Sequence, residues 1–490
     1  MFPSILQAQS MPLFSTTWEE LSVIQTTYKS SYIDDSEDGR GEDSDGLQYT
    51  LDFLVLEELD FLQACLRAPP VAKELSAQLQ TAATQNTPSW IVNLLRLATT
   101  YAQITNEDEA TWEMDTNVFV EEETSVLANY TSRASCGDLA VKLGEKHSEP
   151  TISAVLTILT NLQSTPGTQK EQEAVLYLLC QVLLEWEDKA WSDDVAMQLL
   201  KCCQRVMQEE NIFLRARGHT AASILIKTSE AVQSSSGILM MESTLRSTMD
   251  GSEVVQIACI KAMQNYLSAL PKSATRPLQS TVINTIVQWH ATKTIKDLTE
   301  SRDIVMTVLE TLRDAILLDT TVCVSGEGLS LFFSIGSTAA VDFQVADLVG
   351  ETFEEICESV RDLGEEAYAQ LCEKIVSSLA AGLDVSSYKD ENPVAIVSSL
   401  ILLRSFMIDN ICSSPPTYCP HLASMLFHLF HMDSSQQSYP NSHHIYYNRT
   451  THHSSDPPLT LFTTSFSTTL PPSSPTTIPL QTNLASKPFS

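Results

Sequence analysis

The chain has 490 residues, 43% of them hydrophobic, and sets 29 Lys and Arg against 61 Asp and Glu for a net charge of -32. That is enough apolar material for several domains or one extended array. A surface this acidic repels phosphate backbones, which excludes nucleic-acid binding as a main activity and favours basic protein partners.

No run of about eighteen apolar residues predicts a membrane span. The N-terminal MFPSILQAQSMPLF lacks the basic start and long apolar core of a secretory signal. The eleven cysteines are scattered without zinc spacing and read as reduced, mostly buried thiols.

In chain order, residues 13–29 suggest a helix with Leu13, Trp18, Leu21, Val23 and Ile24 apolar. Asp34, Asp35, Glu37, Asp38, Glu42, Asp43 and Asp45 then stand against a lone Arg40. This composition predicts a solvated, disordered loop. It reads either as an electrostatic contact for a basic partner or as a solubilising connector. From Leu47 the helical period is steady, with helices up to Pro69, over 71–83 and over 90–101.

An acidic stretch follows, in which Glu107, Asp108, Glu109, Glu113, Asp115, Glu121, Glu122 and Glu123 occur with no Lys or Arg among them. Its expected form is an inter-helix loop pinned to the core by Trp112. It runs into a helix carrying Arg133, Asp138, Leu139 and Leu143.

Further helices are predicted over 152–162, 171–187, 195–207 and 211–226, with Pro and Gly falling between segments. Arg215 and Arg217 lie two positions apart on the last of these, so they point to different faces, and one is expected to pair with a carboxylate of the adjacent repeat. Residues 250–270 and 278–289 form the clearest antiparallel pair. Together they span about forty residues, the unit of a HEAT repeat. Pairs over 304–318 with 329–335 and 343–360 with 367–379 follow, then a helix over 393–409. No strand pattern competes; Val322 to Val324 is too brief.

Residues 413–490 hold eleven of the 21 prolines, seven of the ten histidines and no glycine. Such composition does not support a packed helix pair. Two readings stay open: translation outside the normal reading frame or of an unspliced region, and an ordinary Ser/Thr/Pro-rich linker. The predicted organisation is a partial helix plus acidic loop (1–46), a helical-repeat array (47–412) and a disordered tail (413–490).

No enzyme signature is present. G-x-S-x-G, H-E-x-x-H and P-loop patterns are absent, and Gly326 and Gly328 lack the third glycine of a dinucleotide loop. His443, His444, His452 and His453 lie in the tail without carboxylate or thiol support. No catalytic, cofactor or metal site is therefore assigned.

Two motifs carry a resemblance. Trp112, Asp115, Phe119 and Val120, followed by Arg133, Asp138, Leu139 and Leu143, resemble a central-repeat signature of the importin-β superfamily of nuclear transport receptors. They match the branch containing importin nine, with Ser135 or Cys136 at a usually small position. Phe213, Leu214, Arg215, Ala216 and Arg217 resemble the F-[LM]-R-A-R motif of the next repeat. The resemblance covers about 47–412 and implies an all-α solenoid of HEAT-like pairs in a right-handed superhelix.

It further implies a shuttling import receptor, found in cytoplasm and nucleus, that contacts phenylalanine-glycine repeats of the pore. Such a receptor carries basic cargo such as histones or the TATA-binding protein and releases it to Ran-GTP. The family's N-terminal repeats, with the main Ran-GTP site, and its C-terminal repeats are expected to lie outside this fragment. The two acidic segments are the candidate partner-binding residues. A generic HEAT scaffold without a transport role is the alternative.

Overall fold

The computed structural model describes residues 4–34, 40–42, 48–85, 89–124, 131–185, 191–293, 301–325, 328–339 and 342–372, with the single positions 87 and 374. The predicted helix over 393–409 and the tail from 413 lie outside the described residues. The described residues all fall within one compact unit.

The fold is all-α. Helix α1 (Ser4–Tyr28) packs on α2 (Leu51–Leu66), α3 (Pro69–Gln85) and α4 (Trp90–Tyr101). Next come α5 (Asn106–Met114), α6 (Thr116–Thr124), α7 (Ser132–Lys146), α8 (Ser148–Gln163), α9 (Gln169–Leu184) and α10 (Asp193–Val206). They are followed by α11 (Ile212–Thr228), α12 (Glu230–Ser247), α13 (Glu253–Ala269), the short α14 (Lys272–Thr275) and α15 (Gln279–Ala291). Helices Arg302–Ile316, Gly328–Ala339 and Phe343–Asp362 continue the array.

Two layers result. In the A layer, α2, α7, α9, α11, α13 and Arg302–Ile316 stack side by side. In the B layer α4, α8, α10 and α12 do the same, and α15 continues with Gly328–Ala339. From α7 onward each A helix also packs on a B-layer neighbour, so neither layer buries its apolar face without the other.

The forty-residue unit is visible in the bonds between repeats. Gln163 Nε2 donates to the Cys202 carbonyl at 3.1 Å, and Gln264 Nε2 to the Thr307 carbonyl at 3.1 Å. Gln279 Nε2 donates to the Ala315 carbonyl at 2.8 Å. In each case a side-chain amide of one repeat satisfies a carbonyl of the next, so register is fixed by hydrogen bonds as well as by packing.

The helix starts follow their caps. Thr131 accepts from Ala134 N–H, and Asn211 from Leu214 N–H at 2.9 Å. At Gly218 a Cβ would sit 2.8 Å from Val206 Cγ2 and 3.1 Å from the Met207 nitrogen, so α11 approaches the end of α10 only because this residue has no side chain.

One helix was not foreseen and two expectations need correction. Helix α12 falls where the pattern Ser234-Ser235-Ser236-Gly237 hides a helix. Its buried Val232, Met240, Met241, Thr244 and Leu245 are the B-layer cover for α11 and α13. Tertiary packing overrides its weak periodicity. First, 40–42 and 48–50 pair as antiparallel strands, Arg40 opposite Thr50, the first within the stretch predicted to be loop and the second at the predicted start of the helical array. Second, the acidic stretch 107–123 is not a loop. It folds as α5 and α6.

Candidate partner-binding site on an acidic helical strap

Helices α5 and α6 form an insertion between the repeats of α4 and α7. Thr105 explains its start. Its hydroxyl accepts from Asp108 N–H at 3.1 Å while its own N–H donates to Asp108 Oδ2 at 3.2 Å, a reciprocal cap. Glu107, Asp108 and Glu109 fill the first turn, where carboxylates oppose the partial positive charge of the helix end. Asp115 turns the chain, and its carboxylate accepts from Asn117 N–H at 2.9 Å to open α6.

The insertion crosses the A layer and is anchored there. Trp112, 1% exposed, meets Phe119 and Phe213 edge-on, with centroids 5.4 and 5.6 Å away. Helix α6 continues onto α13 and Arg302–Ile316. Lys170 on α9 binds Glu109 Oε2 at 2.9 Å and Asn106 Oδ1 at 2.6 Å.

Beneath the strap lies a buried ion network. Arg133 donates to Glu173 Oε2 at 2.9 Å and Oε1 at 2.7 Å, and also to the Ala102 carbonyl. Arg217 Nε donates to Glu173 Oε1 at 2.8 Å, while its Nη1 and Nη2 reach the Glu123 carboxylate at 2.8 and 2.5 Å. The Tyr177 ring lies 4.0 Å from the Arg133 guanidinium carbon and 5.3 Å from that of Arg217. Forked donors meet planar acceptors here, the geometry in which Arg is irreplaceable by Lys. Arg215 turns the other way, to Asp250 at 3.1 Å and to the Glu209 and Glu210 carbonyls. Both arginines of the motif therefore pair across repeats, where the sequence suggested one.

The eight carboxylates separate by environment. Burial opposes ionisation of Glu123, but Arg217 outweighs it, with Arg133 and Lys261 adding to the effect, and its carboxyl falls to about 2. Glu122, the next residue, has no hydrogen-bond partner among the described residues. Burial lifts it to about 7, against the pull of Arg133 and with help from Asp108 and Glu123. It borders a polar cavity of about 310 Å³ shared with Asp52, Asp108 and Arg133. Asp108 caps α5 and Glu109 holds Lys170, so neither is an unengaged acid.

Glu107, Glu113, Asp115 and Glu121 are exposed. Of the first acidic segment, Asp34 is exposed at the end of a short π-helix (Lys29–Asp34). Asp35, Glu37, Asp38, Asp43 and Asp45 lie outside the described residues, as does the side chain of Glu42. Asp138 lies on the exposed side of α7, where partial desolvation by its surroundings and then neighbouring Asp60 raise its carboxyl.

The structure thus brings Trp112, Phe119, Phe213, Arg133 and Arg217 together and leaves Asp138 and Arg215 apart from them. Sequence reasoning missed Glu173 and Tyr177, on which the network turns. The signal was available: Glu173, Tyr177 and Cys180 share one face of a helix that from Ala174 to Leu184 is otherwise, Gln181 apart, made of Ala, Val and Leu.

Among the described residues no group of His, Cys, Asp and Glu could hold a metal ion, and no helix is long and apolar enough to cross a membrane. Eight of the nine free cysteines described are buried.

Stacked helix pairs joined by forty-residue bonds, with an acidic insertion laid across one layer, define an α-solenoid of the HEAT class. Comparison with known proteins specifies which one. The family model of the importin-9 central HEAT repeats matches residues 85–340, more than half of the chain. The chain belongs to this importin-β family, a family of transport receptors and not of enzymes. No curated protein matches it. Among solved structures, the crystal structure of an engineered protein aligns at 11% identity and a TM-score of 0.27, over 72% of this chain and 98% of its own. A likeness that low carries no argument.

Proposed function

We propose that this chain acts in nuclear import, binding a basic protein cargo such as a histone dimer or the TATA-binding protein and yielding it to Ran-GTP. The family match supports a receptor over a generic scaffold, and it implies shuttling between cytoplasm and nucleus and contact with phenylalanine-glycine repeats. The observation that carries the cargo reading is the outward face of the strap. Glu113, Asp115 and Glu121 are exposed on a rigidly anchored element, in a chain of net charge -32.

Fixed carboxylates attract a basic surface without first having to be ordered, and many such weak contacts can be undone by a competing ligand. The inward face plays a different part: Glu109 and Glu123 hold the strap to the array, so they serve cargo only through position. The test is binding of a histone dimer to the full chain, with GTP-loaded Ran titrated into the complex. Binding at low salt that Ran-GTP reverses supports the reading. Absence of histone binding at low salt refutes it.

A further inference from the structure

The surface beneath α6 is a groove between α9, α11 and α13, and α6 does not fill it. A cavity of about 130 Å³ remains there. Leu184, Thr220, Ile257, Lys261 and Asn265 line it from the array, and Phe119, Val120 and Glu123 from the strap. Lys261 Nζ has one acceptor among the described residues, the Glu123 carbonyl at 3.1 Å. Leu184 stands at the groove 56% exposed. The occupant is itself informative: a short acidic helix that inserts two adjacent apolar side chains and, one turn on, a carboxylate forked onto Arg217.

We propose that this groove is a docking site for an acidic amphipathic helix of a partner protein, which the chain fills with its own α6 until such a partner displaces it. The exchange is physically reasonable because the partner replaces in kind every interaction that α6 gives up. Apolar side chains re-enter the same sites, and a carboxylate returns to Arg217 before the guanidinium is stranded. A partner can also do better than α6. A larger apolar side chain fills the residual cavity, and a second carboxylate reaches the half-buried Lys261, whose ammonium can donate to three acceptors and has one among the described residues. Self-docking raises the threshold, since α6 competes at the high effective concentration of a tethered segment. The partner recognised here is acidic and displaces the helix that carries Glu121, so it would compete with basic cargo, but each reading is tested with its own ligand and fails separately.

The probe is a fluorescein-labelled peptide with the sequence of residues 113–124, titrated into the full chain at physiological salt and read by anisotropy. The wild-type chain should bind it weakly. A chain with Phe119→Ala and Glu123→Gln, in which the strap is loosened, should bind at least tenfold tighter. Peptides carrying the same changes should lose at least tenfold on that variant. Equal affinity of the two chains, or indifference to the peptide changes, overturns the proposal. Should the variant lose its helical circular dichroism, hydrogen exchange of the wild-type chain with saturating peptide decides. Loss of protection confined to α6 supports displacement, and unchanged protection of α6 overturns it.

Discussion

Glu122 and Glu123 are neighbours of the same type, and the structure predicts that neutralising them has opposite effects. Glu123 has its carboxyl held at about 2, below the usual 4.5. Such a group contributes stability that is fully present above the unfolded value and is lost as pH falls from 4.5 through 2. The difference corresponds to about 3 kcal/mol at neutral pH, at about 1.4 kcal/mol per pH unit. The side chain keeps 14% exposure, so solvent screening makes this an upper figure. Removing one partner of a buried pair costs roughly 3–5 kcal/mol by a separate route, since Arg217 is left under-compensated. The two figures agree.

Glu122 behaves in the reverse sense. Its carboxyl is raised to about 7, so ionisation takes stability away as pH climbs from 4.5 through 7. Glu122→Gln should therefore stabilise the strap at pH 7.5 by about 1–2 kcal/mol after screening, whereas Glu123→Gln should destabilise it by about 3 kcal/mol. Hydrogen exchange of α6 amides reads both, because a solenoid opens locally before it unfolds globally. Changes of the same sign in the two variants, or shifts under about 0.5 kcal/mol in both, refute the division of this segment into inward and outward acids.

Trp112→Ala should cost about 3–5 kcal/mol by urea denaturation, because it empties the aromatic contact with Phe119 and Phe213; a loss under about 1 kcal/mol contradicts the anchor role. His219 is fully buried with Nδ1 3.0 Å from Thr244 Oγ1, and burial, aided by Arg215, lowers it from 6.5 to about 4. Because the unfolded chain takes up its proton first, the array should lose roughly 3 kcal/mol as pH falls from 6.5 to 4. His219→Gln should flatten that part of the pH–stability curve, and an unchanged curve rules the histidine out as its cause. Arg217→Lys should destabilise by about 2 kcal/mol or more, since an ammonium cannot fork onto Glu123 while also serving Glu173; full retention of the melting temperature contradicts this.

The array was legible where apolar residues recur along one face. Val255, Ala258, Ala262 and Tyr266 announced α13, and Pro271 and Pro277 its turn. What stayed hidden had physical reasons. Helix α12 lacks a clean stripe because its serines face outward and its buried residues are few. The strap read as loop because its net charge suppresses intrinsic order. Its stability comes from partners about 60 to 140 residues away, such as Arg217, Lys170 and Lys261, that no local pattern shows.

The cap at Thr105 and Asp108 was the one local sign of a helix there. Trp112 was read as an anchor from its type and setting, and it lies 1% exposed against Phe119 and Phe213. The role of Glu123 was not, since in the sequence it cannot be told from Glu121 and Glu122. Only the position of Arg217, opposite it in the fold, separates the three.

The claim that the outward carboxylates of the strap hold basic cargo is tested most directly by the affinity of the full chain for a histone dimer, measured in wild type and in a Glu113→Gln, Glu121→Gln variant at low and physiological salt. Both residues are exposed, so the variant should keep its melting temperature. Its affinity should fall several-fold at low salt, and the gap should narrow as salt screens charges beyond about 8 Å. Equal affinity of the two proteins at low salt, with stability intact, contradicts the claim.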